Sequence, residues 1–112
     1  MESILTSIKK LIGLAEDDTS FDVDVIMHIN TSFNILNGLG VGPAYGFSIK
    51  DSSAKWSDFL QDEKRLEMVK TYVYSKVKLV FDSSNMSSAA IESLKEVIKE
   101  LEWRITNTAE NL

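Results

Sequence analysis

Apolar residues recur at helical spacing in four stretches of the chain. Ile4, Leu5, Ile8, Leu11 and Ile12 share one face of a short helix predicted over about residues 3–13, with Lys9 and Lys10 at its negative pole and Gly13 as its stop. Phe21, Val25, Ile26, Ile29, Phe33 and Leu36 mark a second helix over 21–38. Its apolar stripe is wide enough to pack on two neighbours, so it belongs at the centre. Thr19 with Asp22 three residues on has the shape of a capping box, and Gly38 or Gly40 ends the helix. Leu66, Val69, Tyr72, Val73, Val77, Val80 and Phe81 define a third helix over 63–81, preceded by a helical turn around 57–60. The middle of that helix, Thr71 to Val80, also alternates enough to pass for a strand. Ile91, Leu94, Ile98, Leu101 and Ile105, at steps of 3, 4, 3 and 4, form the cleanest stripe, a fourth helix over 88–106 capped by Ser87 or Ser88. If Leu101 lies in the core, Leu101→Ala is expected to cost about 2 to 5 kcal/mol, and residues after Thr106 are expected to fray.

Between the second and third helices the period is lost. Four of the five glycines and the only proline lie between Gly38 and Gly46. The loop or arm over 39–56 nonetheless carries Val41, Tyr45, Phe47, Ile49 and Trp56. Phe47-Ser48-Ile49 alternates, and Asp51-Ser52-Ser53 can turn the chain toward Ala54 to Trp56, which suggests a small β-hairpin. An isolated hairpin is marginal in water, so the arm must lie on something. The fold class is therefore all-α: a bundle of four main helices in one domain over 1–112, with a long loop or small β-hairpin excursion between helices 2 and 3.

Composition narrows function by exclusion. With 112 residues, 44% of them hydrophobic, the chain suits one small folded domain. Seventeen acidic residues against 12 basic ones give a net charge of −5, which argues against a protein built to grip phosphates. Cysteine is absent, removing disulfides, thiolate metal sites and thiol nucleophiles. No apolar run nears the roughly 18 residues of a membrane span, and the N-terminus lacks a secretory pattern, so a cytoplasmic protein is expected.

Candidate chemistry is thin. Gly38, Gly40 and Gly42 faintly echo a phosphate-binding loop, but they follow a helix, whereas such a loop follows a strand and opens a helix. His28 has Asp24 at i−4 and Ser32 at i+4, which do not complete a metal site. Pairs such as Asp17 and Asp18, or Asp22 and Asp24, sit where helix-start carboxylates ordinarily sit, and no serine has a nucleophile's context. No catalytic, cofactor or metal residue is assigned. Trp103 and Arg104 are residue types enriched at protein–protein hot spots. Trp103 lies off the apolar line of its helix, so it belongs either to a second core face or to an exposed partner contact.

The stretches DVDVIMHINTSFNILNGLGVGP (22–43), FSIKDSSAKWSDFL (47–60), VKTYVYSKVKLVFD (69–82) and IESLKEVIKELEWRI (91–105) occur in this order. Together they resemble the head-tail connector, or adaptor, proteins of tailed bacteriophages and prophages. The resemblance rests on the ordered combination of Ile-Asn inside the second helix, Gly-Val-Gly at its end, Trp-x-Asp-Phe-Leu, and Lys-x-Tyr-Val-Tyr-x-Lys. Family members lead one to expect prolines after Phe81-Asp82, where this chain has Ser83-Ser84. That departure leaves open how the chain enters the fourth helix.

The resemblance implies a structural, non-enzymatic subunit of the virion, made in the host cytoplasm. It would assemble as a ring under the portal, remaining a monomer in isolation in some cases, and join the portal to a tail-completion or stopper protein around the DNA path. It implies neither specific nucleic-acid binding nor membrane contact. On this reading Val41, Tyr45, Phe47, Ile49 and Trp56 are expected to contact a neighbouring subunit, and Lys95, Lys99, Glu102, Trp103 and Arg104 to face the portal. The rival is a small helical DNA-binding or protein-interaction regulator, which would need Lys64, Lys70, Lys76 and Lys78 to cluster.

Overall fold

The computed structural model describes residues 3–110. In chain order it contains α1 (Ile4–Leu11), α2 (Asp22–Gly38), the short α3 (Trp56–Phe59), α4 (Glu63–Phe81), a 3-10 turn (Ser83–Asn85) and α5 (Ser88–Glu110). The four main helices are those that the periodicity predicts, and Thr71 to Val80 is helical throughout. The fraying expected after Thr106 does not begin there, because α5 runs one turn further to Glu110; residues 111 and 112 lie outside the described residues.

Helix ends follow from local hydrogen bonding. Ser3 Oγ accepts from the Thr6 N–H at α1, Asp62 Oδ1 from Lys64 and Arg65 at α4, and Ser87 Oγ from Ala90 at α5. The end of α2 is a Schellman motif. Gly40, at φ +86°, donates to Asn37 O, and Val41 donates to Leu36 O at 3.0 Å, with both Val41 and Leu36 buried. Gly40 rather than Gly38 therefore supplies the stop. The expected capping box at Thr19 and Asp22 does not form: only the Thr19 carbonyl accepts from Asp22 N–H, because the Asp22 carboxylate is turned toward Lys9. Where prolines were expected, Asp82 organises the turn, accepting from Asn85 Nδ2 at 3.1 Å and pairing with Lys78 at 3.4 Å.

α2 packs on α1 and α4, and α4 carries α5 on another side. The core between them holds Ile4, Ile8, Val25, Ile29, Phe33, Leu36, Val69, Val73 and Val77. Each such side chain contributes about 1.5 to 3 kcal/mol of burial before ordering entropy is charged. α5 joins this core chiefly through Ile98 and Ile105, with Leu94 and Leu101 only partly buried.

The hairpin expected in 39–56 is absent. No strand occurs among the described residues, and the one isolated bridge pairs Ser3 with Lys55, reinforced by Ile4 N–H donating to Ala54 O. The arm folds onto its own bundle instead. Asn30 on α2 takes the place of a partner strand: its Nδ2 donates to Ile49 O at 3.0 Å, and its Oδ1 accepts from Ile49 N–H at 2.7 Å. Asn37 Nδ2 holds Pro43 O at 2.7 Å. Phe33 then sits among Phe47, Trp56 and Phe59 at centroid distances of 5.0, 6.1 and 4.6 Å. Gly42, at φ +92°, passes so close to Phe59 that a Cβ there would lie 2.3 Å from the ring, which only glycine permits.

Candidate interaction surfaces

The arm residues separate by burial. Val41, Ile49 and Trp56 lie in the chain's own core, and Phe47 is partly buried against Phe33 and Phe59. Trp56 also donates its indole N–H to Ser7 Oγ at 2.8 Å inside the protein. The apolar character of the arm is thus accounted for within one chain, because α2 supplies both the apolar bed and the polar anchors. Tyr45 alone projects, 95% exposed at the tip.

The α5 residues also separate. Lys95, Lys99, Trp103 and Arg104 are exposed, and Trp103, at 66%, is a surface side chain rather than part of a second core face. Lys95, Lys99 and Trp103 follow one another at intervals of four and form a stripe along the outer side of α5. Arg104 is held by Glu100 Oε1, to which its Nε and Nη2 donate at 3.2 and 3.0 Å. Glu102 stands apart from these: it is half-buried and accepts from the Tyr72 hydroxyl at 2.7 Å, tying α5 to α4. Burial first, then the hydrogen bond and charge of Glu102, raises the Tyr72 ionisation well above its ordinary value.

The α4 lysines do not all gather on one face: Lys76 lies opposite the arc that holds Lys64, Lys70 and Lys78, and two of those three are paired with carboxylates. With about 100° per residue, Lys70, Lys76 and Lys78 point roughly 240°, 120° and 320° around the helix from Lys64. Lys70 is 3.5 Å from Glu67, and Lys78 is paired with Asp82.

A buried lysine went unrecognised as structural in the sequence. Lys9 donates to Glu16 O at 3.0 Å and Asp18 O at 2.7 Å, and its Nζ lies 2.8 Å from Asp22 Oδ1. Asp22 Oδ1 sits off the line of a hydrogen bond, but attraction between opposite charges at that distance needs no alignment. The N-terminal part of α2 meanwhile exposes Val23 and Met27, which fall off its core stripe. Only their absence from the 3-and-4 spacing marked them in the sequence.

His28 and the paired carboxylates remain dispersed: among the described residues no three His, Cys, Asp or Glu side chains gather as metal ligands. Nor, among these residues, is any helix long and apolar enough to cross a membrane. Residues 4–112 match the family model described as phage connector protein. No curated protein and no solved structure matches the chain.

Proposed function

The chain belongs to the phage connector family, and from that premise we propose that it is a structural virion subunit that works by docking rather than by catalysis. On this reading, copies made in the host cytoplasm assemble as a ring beneath the portal, the DNA channel of the capsid. The ring joins the portal to the tail-completion or stopper protein. Its net charge of −5 would repel passing phosphates and let DNA slide through unbound.

The observation that carries this reading is the exposed stripe of Lys95, Lys99 and Trp103 on a 23-residue helix. An exposed Trp with Arg104 beside it pairs two residue types enriched at protein-binding hot spots, and a long helix presents them rigidly. We assign that stripe, with Arg104 beside it, to the portal. Among the arm residues, exposed Tyr45 is the one available to a neighbour without rearrangement.

The test is a pull-down with the portal protein of the same phage. The wild-type chain is retained, whereas Trp103→Ala with Arg104→Ala is not, and circular dichroism stays unchanged. Equal retention of the variant, or none of the wild type, refutes the assignment. A mobility shift at low salt checks the rival reading: nanomolar, salt-sensitive DNA binding would replace ours.

A further inference from the structure

α1 separates two surfaces of opposite character. Because successive residues step about 100° around a helix, Lys9 and Lys10 serve different flanks. On one flank Leu5, Thr6 and Lys9 line a groove of about 430 Å³ whose far wall holds three carboxylates, Glu16, Asp22 and Asp51, against Lys50, with Val23 at its edge. On the other, Ser7, Lys10 and Leu11 line a groove of about 270 Å³ with Trp56 and Lys70, and no acidic residue contributes to its wall. Lys10 is exposed and enters no ion pair among the described residues, and Leu11 leaves 54% of its surface in water.

The segment 16–24 is its complement. Asp22 is occupied by Lys9, and Asp18 accepts from Ser20 N–H at 3.0 Å. Glu16, Asp17 and Asp24 are exposed and enter no ion pair among the described residues. Val23, 81% exposed, projects among them. Segment 16–24 thus carries one exposed apolar side chain within a run of carboxylates, three of them unpaired. The opposite flank carries an apolar wall flanked by unpaired Lys10 and by Lys70, whose exposed partner Glu67, 3.5 Å away, a stronger pairing would displace.

We propose that the lysine groove of one copy receives segment 16–24 of a second copy, Val23 packing on Leu11 while Asp17 and Asp24 meet Lys10 and Lys70. Either patch on its own kind would oppose like charges, so the contact is heterologous, running head to tail from one flank of α1 to the other. Such a contact adds copies in one direction and closes when the rotation per copy divides a full turn. It also gives an acidic chain, whose copies repel at a distance, a local reason to associate. The proposal deepens the connector reading, on which it rests, by naming the two faces through which copies meet.

The chain lacks cysteine, so a disulfide reports the contact cleanly. A Leu11→Cys chain mixed with a Val23→Cys chain, under mild oxidation, should give a cross-linked dimer. Tyr45→Cys mixed with either chain serves as the control for random collision. Adding Lys10→Glu and Lys70→Glu to the first chain, or Asp17→Lys and Asp24→Lys to the second, should each lower the cross-linked yield about tenfold or more. Combining the two swapped chains should restore it, which also shows that both are folded. Yield no higher than the control, or yield indifferent to the swaps, overturns the proposal. Portal retention of the wild-type chain distinguishes the two failures: retention without the cross-link discards only the head-to-tail contact, whereas loss of retention discards the connector reading.

Discussion

The carboxamide of Asn30 binds both backbone polar groups of Ile49, the N–H at 2.7 Å and the C=O at 3.0 Å. A helix side chain thereby does what a neighbouring strand would do, and the arm lies flat on α2 without forming a sheet. The Ile-Asn pair inside the second helix has a physical role in this: Ile29 faces the core and Asn30 faces the arm.

Asn30→Ala should therefore cost roughly 2 to 4 kcal/mol, since it strands two polar groups of a buried residue. Urea unfolding measures the loss, and limited trypsin digestion localises it, with cleavage after Lys50 accelerating ahead of cleavage elsewhere. Asn30→Asp should destabilise as well. It keeps the acceptor for Ile49 N–H but sets an oxygen against Ile49 O.

The four main helices were legible because a 3.6-residue period survives in the apolar residues whatever they pack against. The arm was not. Its position depends on side-chain-to-backbone bonds from Asn30 and Asn37, which leave no periodic trace, and its alternation at Phe47 to Ile49 reflects a core-facing loop rather than a strand. Glu102 read as a surface charge because its partner, Tyr72, lies 30 residues away. For Trp103 the spacing could only say that it leaves the main stripe. The structure adds that the described residues leave two-thirds of it in water.

Lys9 offers a second check on long-range polar order. Lys9→Met preserves the apolar stem but removes the donor to Glu16 O and Asp18 O and the positive charge beside Asp22. A loss of about 2 to 4 kcal/mol is expected in chemical denaturation, because one partner of a mostly buried pair is left behind. Asp22→Asn should cost less, as the two carbonyl contacts survive it.

The Tyr72–Glu102 bond makes stability sensitive to alkali. The tyrosine's ionisation lies above its ordinary value of 10.0 in the folded state, so its contribution is complete below about pH 10. It is lost as pH climbs past that point toward the folded-state value, because the unfolded chain releases a proton that the folded one retains. Urea midpoints between pH 8 and pH 11 should therefore fall more steeply for wild type than for Tyr72→Phe. At neutral pH that variant should lose only about 1 kcal/mol, the worth of one hydrogen bond. Parallel pH profiles would show that Tyr72 is not the titrating group.

Along α5 three substitutions should rank by burial, not by their place in the apolar pattern. Ile105 is fully buried, and Ile105→Ala should cost about 2 to 5 kcal/mol. Leu101 shares the stripe but is only partly covered, so Leu101→Ala should cost about 1 to 2 kcal/mol, less than its spacing alone suggests. Trp103→Ala should change stability by less than about 0.5 kcal/mol, since two-thirds of the side chain already meets water. Guanidinium melts of the three variants test the order. A Trp103→Ala loss as large as that of Ile105→Ala would mean that the indole serves the fold, and its assignment to a partner would fail with it.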